Sequence, residues 1–151
     1  MNTINQISDA VLRREYSKRF YLKTGDTILS SVNGADHLRT LIKNTSREHF
    51  IVVFLSSQNK VIKTETLFKG SISNAFVCPR EVVKKVIEHS ASAVILGHNH
   101  PSGNLTFSRD DQMITEKIAR ALKTIDVSVH DHILVTGENY KSMADTGIMP
   151  N

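Results

Sequence analysis

The sequence predicts an α/β fold, a mixed sheet flanked by helices, and three observations carry that reading. Apolar runs of strand length alternate along the chain with segments whose apolar residues recur at helical spacing. The first two such runs, 49–56 and 60–68, are separated only by Ser57-Gln58-Asn59, which reads as a hairpin and therefore an antiparallel pair. The later runs are joined through helical segments instead, which permits parallel neighbours. A sheet that combines both connections is mixed, with helices packed on it.

Taken in order, residues 3–20 are expected to be a helix that turns basic at Arg13-Arg14 and Lys18-Arg19. A second helix is expected over Gly34 to Lys43, with Leu38, Leu41 and Ile42 inward. After the hairpin, Pro79 suits the first turn of a helix over 79–90, with Val82, Val83, Val86 and Ile87 on the apolar side and Lys84, Lys85 and Glu88 opposite. Ala91 to Gly97 (ASAVILG) is short and continuously apolar, as a strand buried on both faces would be. Pro101 and Gly103 turn the chain. From Ser108 a helix to 124 follows, with Ile114, Ile118, Ala121, Leu122 and Ile125 on one face. Val127 to Val135 is the last strand expected, before a turn at Gly137-Glu138-Asn139. The organisation expected is an N-terminal helical extension, 1–44, packed on a domain spanning 45–151.

Composition bounds the function. The chain has 151 residues, enough for one substantial core and too few for two large domains. It has no apolar stretch of membrane-spanning length, and its polar start (MNTINQISDA) lacks a signal-peptide core, so a cytoplasmic location and no membrane partner are expected. The single cysteine, Cys78, cannot form an internal disulfide. A net charge of +4 would suit an acidic partner or nucleic acid. The basic residues are scattered, however, aromatics make up 6%, and no nucleic-acid motif is present, so an ordinary solvated surface is the preferred reading.

The chemistry concentrates in His98-Asn99-His100-Pro101-Ser102-Gly103, followed by Ser108 and Asp111. Two histidines one residue apart on an extended segment can point to the same side while Asn99 faces away. They stand at the end of a buried strand, where α/β sheets commonly place ligand sites. Asp111, in the first helical turn, can supply a third ligand, while Ser108-x-x-Asp111 equally fits a helix N-terminal capping signal. Two imidazoles and a carboxylate suit a divalent ion such as zinc and leave a coordination position open. A second pair, His130-Asp131-His132, has no following turn or acid at ligand spacing. It is expected to be structural or to support the metal ligands from behind, with Asp131 on the opposite face orienting a ligand histidine.

This constellation resembles the JAMM motif of JAB/MPN metalloprotease domains. H-x-H-P, the seven residues between His100 and Ser108, and S-x-x-D all match, and PREVVKKVIEHSASAVILGHNHPSG is similar to the RadC-type branch. The resemblance extends from about Thr45 to Met149. It implies a cytidine-deaminase-like α/β architecture, one Zn2+ per chain on His98, His100 and Asp111, and a peptide or protein substrate. It further implies that Ser108 helps stabilise the tetrahedral intermediate and that an upstream glutamate handles the proton of the attacking water. Glu48, just before the 49–56 strand, holds that place. Glu65, in the next strand, is the alternative. Many active relatives carry a glycine three residues after the glutamate, where this chain has Ile51. Fuller RadC-type chains carry a helix-hairpin-helix segment, and this chain shows only a short helical stretch before the domain.

The same parts can be stated as chemistry. Zinc lowers the pKa of a bound water from about 15.7 to about 7 and polarises a carbonyl. A carboxylate can move the proton, and a hydroxyl can stabilise an oxyanion. Hydrolysis of an amide or isopeptide bond is the leading expectation, with deamination the nearest relative reaction. A non-enzymatic MPN-like scaffold, associated with DNA repair or not, is the alternative from another class. An HNH nuclease is excluded, since that name describes dispersed residues. A two-histidine, one-carboxylate iron oxygenase uses the same ligand types, but in such sites the carboxylate typically sits beside the first histidine.

Overall fold

The computed structural model describes residues 3–43, 45–70 and 77–150. These form a 3₁₀ turn (Ile4–Gln6), four α-helices, α1 (Asp9–Phe20), α2 (Ser31–Leu41), α3 (Pro79–His89) and α4 (Arg109–Lys123), and five strands, β1 (Glu48–Leu55), β2 (Val61–Gly70), β3 (Ala93–Asn99), β4 (Ser128–Val135) and β5 (Tyr140–Ser142). The strands make one sheet in the order β2-β1-β3-β4-β5. β3 and β4, joined through α4, run parallel, and the other neighbours are antiparallel. The mixed α/β sheet is thus the one the sequence predicts. β5 is not expected from the sequence, because three residues are too few to show a period.

Alternation along β1 and β3 builds two cores. Ile51, Val53, Leu55, Ala93 and Ile95 face one layer with Ala35, Leu38 and Ile42 from and just after α2. Phe50, Val52, Phe54, Val94 and Leu96 face the other, with Val82 and Val86 of α3 and Ile118 and Leu122 of α4. Gly97 belongs to the first layer, where a β-carbon would collide with the Leu38 side chain. Its absence lets α2 sit directly on the strand that leads into His98.

The helix ends follow capping chemistry and shift some expected boundaries. Ser8 accepts a hydrogen bond from the Val11 amide at 3.3 Å, so the helix expected over 3–20 is divided and α1 begins at Asp9. Ser30 likewise accepts from the Asn33 amide at 3.2 Å and starts α2 three residues before Gly34. Two residues expected inward point out. Ile87 is 64% exposed, because Val82 and Val86, one turn apart, already make the contact of α3 with the sheet. Ile125 is 41% exposed, because α4 ends at Lys123. The boundary expected at 44/45 falls on a residue outside the described ones.

One buried polar residue ties α2 to the rest. His37 Nδ1 accepts from the Leu22 amide at 2.8 Å, which leaves its Nε2 as the protonated nitrogen toward Thr64 Oγ1 at 2.9 Å. Burial holds its pKa down at about 4 against the pull of Asp26. A second ring proton would confront the Leu22 N–H. The unfolded chain therefore binds a proton, below its ordinary pKa of about 6.5, that the folded chain refuses. This contribution is complete above pH 6.5 and is lost as the pH falls toward 4, amounting to about 3 kcal/mol at 1.36 kcal/mol per pH unit. In urea unfolding, the chain is expected to lose about that much more stability between pH 7 and pH 4 than its His37→Gln variant. Equal losses would refute the assignment.

Candidate metal centre

Sheet register brings the site together. In the antiparallel β1–β3 pair, Phe50 lies opposite His98. Glu48, two residues before Phe50, and His100, two after His98, therefore fall on the face covered by α4 and at the same end of the pair. Asp111 reaches them from the first turn of α4. The ligating atoms of Glu48, His98, His100 and Asp111 all lie within 4.8 Å of one another. His98 Nε2 is 3.0 Å from His100 Nε2, and Asp111 Oδ2 is 3.3 Å and 3.0 Å from the two nitrogens.

Each candidate ligand is held from behind. The His100 Nδ1–H donates to the Asn104 carbonyl at 2.9 Å, so its Nε2 is the nitrogen turned to the cluster. His98 Nδ1 is 2.7 Å from Nε2 of the fully buried His132. The Ser108 amide donates to Asp111 Oδ2 at 2.8 Å and the Asp111 amide to Ser108 Oγ at 3.0 Å, a reciprocal capping box at the start of α4. Gly103, at φ +79°, closes the turn after the histidines by donating its amide to the His100 carbonyl at 2.9 Å.

Electrostatics suit a cation. Burial alone would raise the Asp111 pKa, but the hydrogen bond from His100, the adjacent His98 ring and the Ser108 amide outweigh it and hold the carboxyl well below its usual range. The hydrogen bond to Asp111 raises His100. Burial raises Glu48, with His98 pulling the other way. Burial drives His132 well below the ordinary histidine value, so it is neutral. Two ring nitrogens and a carboxylate oxygen crowded to 3.0–3.3 Å need a positive charge between them. A proton on His100 can serve, and so can a divalent ion. Those separations match the edge of about 3.3 Å expected between ligands of a tetrahedral zinc with bonds of about 2.0–2.1 Å. The donor set fits such an ion.

A family model for the RadC-like JAB domain matches residues 28–148. The chain belongs to the RadC-like JAB family. It is similar to the UPF0758 protein YfjY of Escherichia coli strain K12, at 42% identity over 131 residues, covering 87% of this chain and 82% of that protein. It is also similar to the UPF0758 protein PSHAa2643 of Pseudoalteromonas translucida, at 45% over 125 residues, and to YeeS of E. coli K12, at 47% over 103 residues. The chain spans 56% of the length of PSHAa2643 and 70% of YeeS.

In this RadC-like JAB domain the four residues expected to share one site do so, and Ser108 lines the same cavity of about 710 Å³. The Ser108 oxygen accepts from the Asp111 amide at the start of α4. Glu65, the alternative proton acceptor, is outside the cluster. It accepts from His89 Nε2 at 2.7 Å and lies 3.6 Å from Lys85, and these contacts together pull its pKa down although burial acts upward. Ile51, which departs from the family's glycine, is packed in the core on the opposite face of β1 and does not occupy the site.

Of the second histidine pair, His132 supports a candidate ligand from behind, and the orienting role expected of Asp131 is not found. Asp131 accepts from Ser142 Oγ at 2.5 Å and from the Ala144 amide at 3.0 Å, so it anchors the turn after β5. Thr115 and Asn99 have roles that the sequence alone does not assign. Asn99 faces away from the cluster as expected, but there its Oδ1 accepts from the His49 amide at 2.8 Å and its Nδ2 donates to the Arg47 carbonyl at 2.9 Å. It clamps the backbone on both sides of Glu48. An asparagine between two metal-spaced histidines was the available signal, but its partner strand lies about fifty residues earlier and only the register reveals it.

Proposed function

We propose that this domain is a metal-dependent hydrolase, with zinc on His98, His100 and Asp111, that cleaves an amide or isopeptide bond in a peptide or protein. The observation that carries the reading is the convergence of those three ligand atoms with the Glu48 carboxylate at the buried end of β3. A divalent ion held there supplies Lewis acidity toward a carbonyl and acidifies water. Glu48, half-buried and raised by that burial, takes the proton of the attacking water and delivers it to the leaving amine. The Ser108 hydroxyl donates to the carbonyl oxygen as charge builds on it. Val77, Met113 and Ile114 give the cavity an apolar side for the flanking residues of a substrate, and Lys117 a cationic one.

Elemental analysis of the purified chain beside its His98→Ala/His100→Ala variant tests this. About one zinc per chain is expected, lost in the variant. Absence of metal from the unaltered chain, even after zinc is supplied, overturns the hydrolase and favours a binding module.

A further inference from the structure

We infer that Thr115 and His132 form a positioning relay that sets which nitrogen of His98 carries its proton, and so keeps the Nε2 lone pair aimed at the ligand cluster before any ion arrives. Three contacts make the relay. His98 Nδ1 is 2.7 Å from His132 Nε2, His132 Nδ1 is 2.6 Å from Thr115 Oγ1, and Thr115 Oγ1 is 2.7 Å from the Asp111 carbonyl oxygen. A carbonyl oxygen only accepts, and a hydroxyl has one proton to give. For the Thr115–Asp111 contact to be a hydrogen bond, that proton must go to the carbonyl, a frequent choice for threonine within a helix. Thr115 Oγ1 can then only accept from His132, whose proton is placed on Nδ1. His132 Nε2 is left as an acceptor and takes the Nδ1–H of His98. The reverse order would set two oxygens 2.7 Å apart with no proton between them.

Solvent offers no substitute. Thr115 and His132 are fully buried, His98 is nearly so, and Phe50 and Phe107 wall the rings with centroids 5.9 Å and 5.5 Å from that of His132. The relay also closes on itself. Asp111 contributes its carboxylate to the cluster and its backbone oxygen to the far end of the chain, so a single residue of α4 sets both the charge at the site and the proton on its buried histidine.

The inference rests on the reading of His98 as a metal ligand, and two measurements separate the two. In chelator-treated protein labelled with ¹⁵N-histidine, two-bond proton–nitrogen correlation spectra should show His98 and His132 both protonated on Nδ1. His98 protonated on Nε2 would overturn the relay whether or not the chain binds zinc. Zinc titrated against a chromogenic chelator should bind Thr115→Val and His132→Leu about 10- to 100-fold more weakly than the unaltered chain. His132→Gln, whose amide oxygen can accept from His98 and whose NH₂ can reach Thr115, should recover most of that loss. Unfolding of the metal-free variants is followed in parallel. Lower stability with unchanged zinc affinity in the folded fraction would make these residues structural and defeat the inference. Failure of the unaltered chain to take up zinc would instead sink the metal reading and leave the spectra to decide the relay.

Discussion

Glu48→Gln is expected to lower hydrolysis of a responsive peptide or isopeptide substrate by about 10²- to 10⁴-fold, the range in which positioned proton transfer contributes, while zinc content stays at about one per chain. The amide keeps the volume of the carboxylate and removes its ability to take a proton. Loss of zinc along with turnover would make Glu48 a ligand and not the proton carrier. Glu65→Gln is the matched control. It breaks the contacts to His89 and Lys85 on the α3 side of the sheet and should leave turnover unchanged. If it abolishes turnover instead, Glu48 is misassigned. Asn99→Ala should act through the same step, since it frees the Arg47 carbonyl and the His49 amide that flank Glu48. A fall of about tenfold to a hundredfold in turnover with zinc retained is expected, because small misplacements of a reacting group carry penalties of that order.

Asp111 should separate metal binding from folding. Asp111→Asn retains an oxygen that can accept the Ser108 amide, so the cap of α4 survives while the ligand's charge is lost. Zinc occupancy should fall from about one to near zero at stoichiometric supply, with the unfolding midpoint of the metal-free chain nearly unchanged. Asp111→Ala removes both functions and should also lower the stability of the metal-free chain by about 1 kcal/mol, as loss of a capping interaction does. Zinc affinity unchanged in Asp111→Asn would remove the carboxylate from the ligand set. Unchanged stability in Asp111→Ala would mean that the capping box contributes nothing to folding. Because the capping box forms without an ion, the metal-free chain should already place Asp111, and zinc uptake should be fast and free of a folding phase.

What the sequence reveals and what it hides divide along the range of the interactions. The apolar runs of β1, β2, β3 and β4 are local patterns, as are the two histidines and the S-x-x-D start of α4, and all are legible from the chain alone. Glu48 becomes legible only beside a family pattern, because fifty residues separate it from His98 and no local feature sets it above Glu65. The β1–β3 register decides between them by putting Phe50 opposite His98. The parting of His132, behind His98, from His130 has a similar origin. The β3–β4 register slips where Ile95 pairs with Asp131, directly after Val94 pairs with Val129. Strict alternation read along β4 cannot anticipate that irregularity. β5 escapes notice because its three residues become a strand only through pairing with Ile133, Leu134 and Val135.

The clamp of Asn99 on the residues either side of Glu48 has an evolutionary corollary. The gap between Glu48, the proposed proton carrier, and the proposed ligands His98 and His100 is fixed across two neighbouring strands, by ladder bonds and one side-chain amide, and not by the stretch of chain that links Leu55 to Ala93. Insertions or deletions in that stretch can therefore reshape what approaches the site while leaving the spacing of its reactive groups untouched. Relatives that differ widely in length between these two strands should still superimpose at the positions of Glu48, His98 and His100.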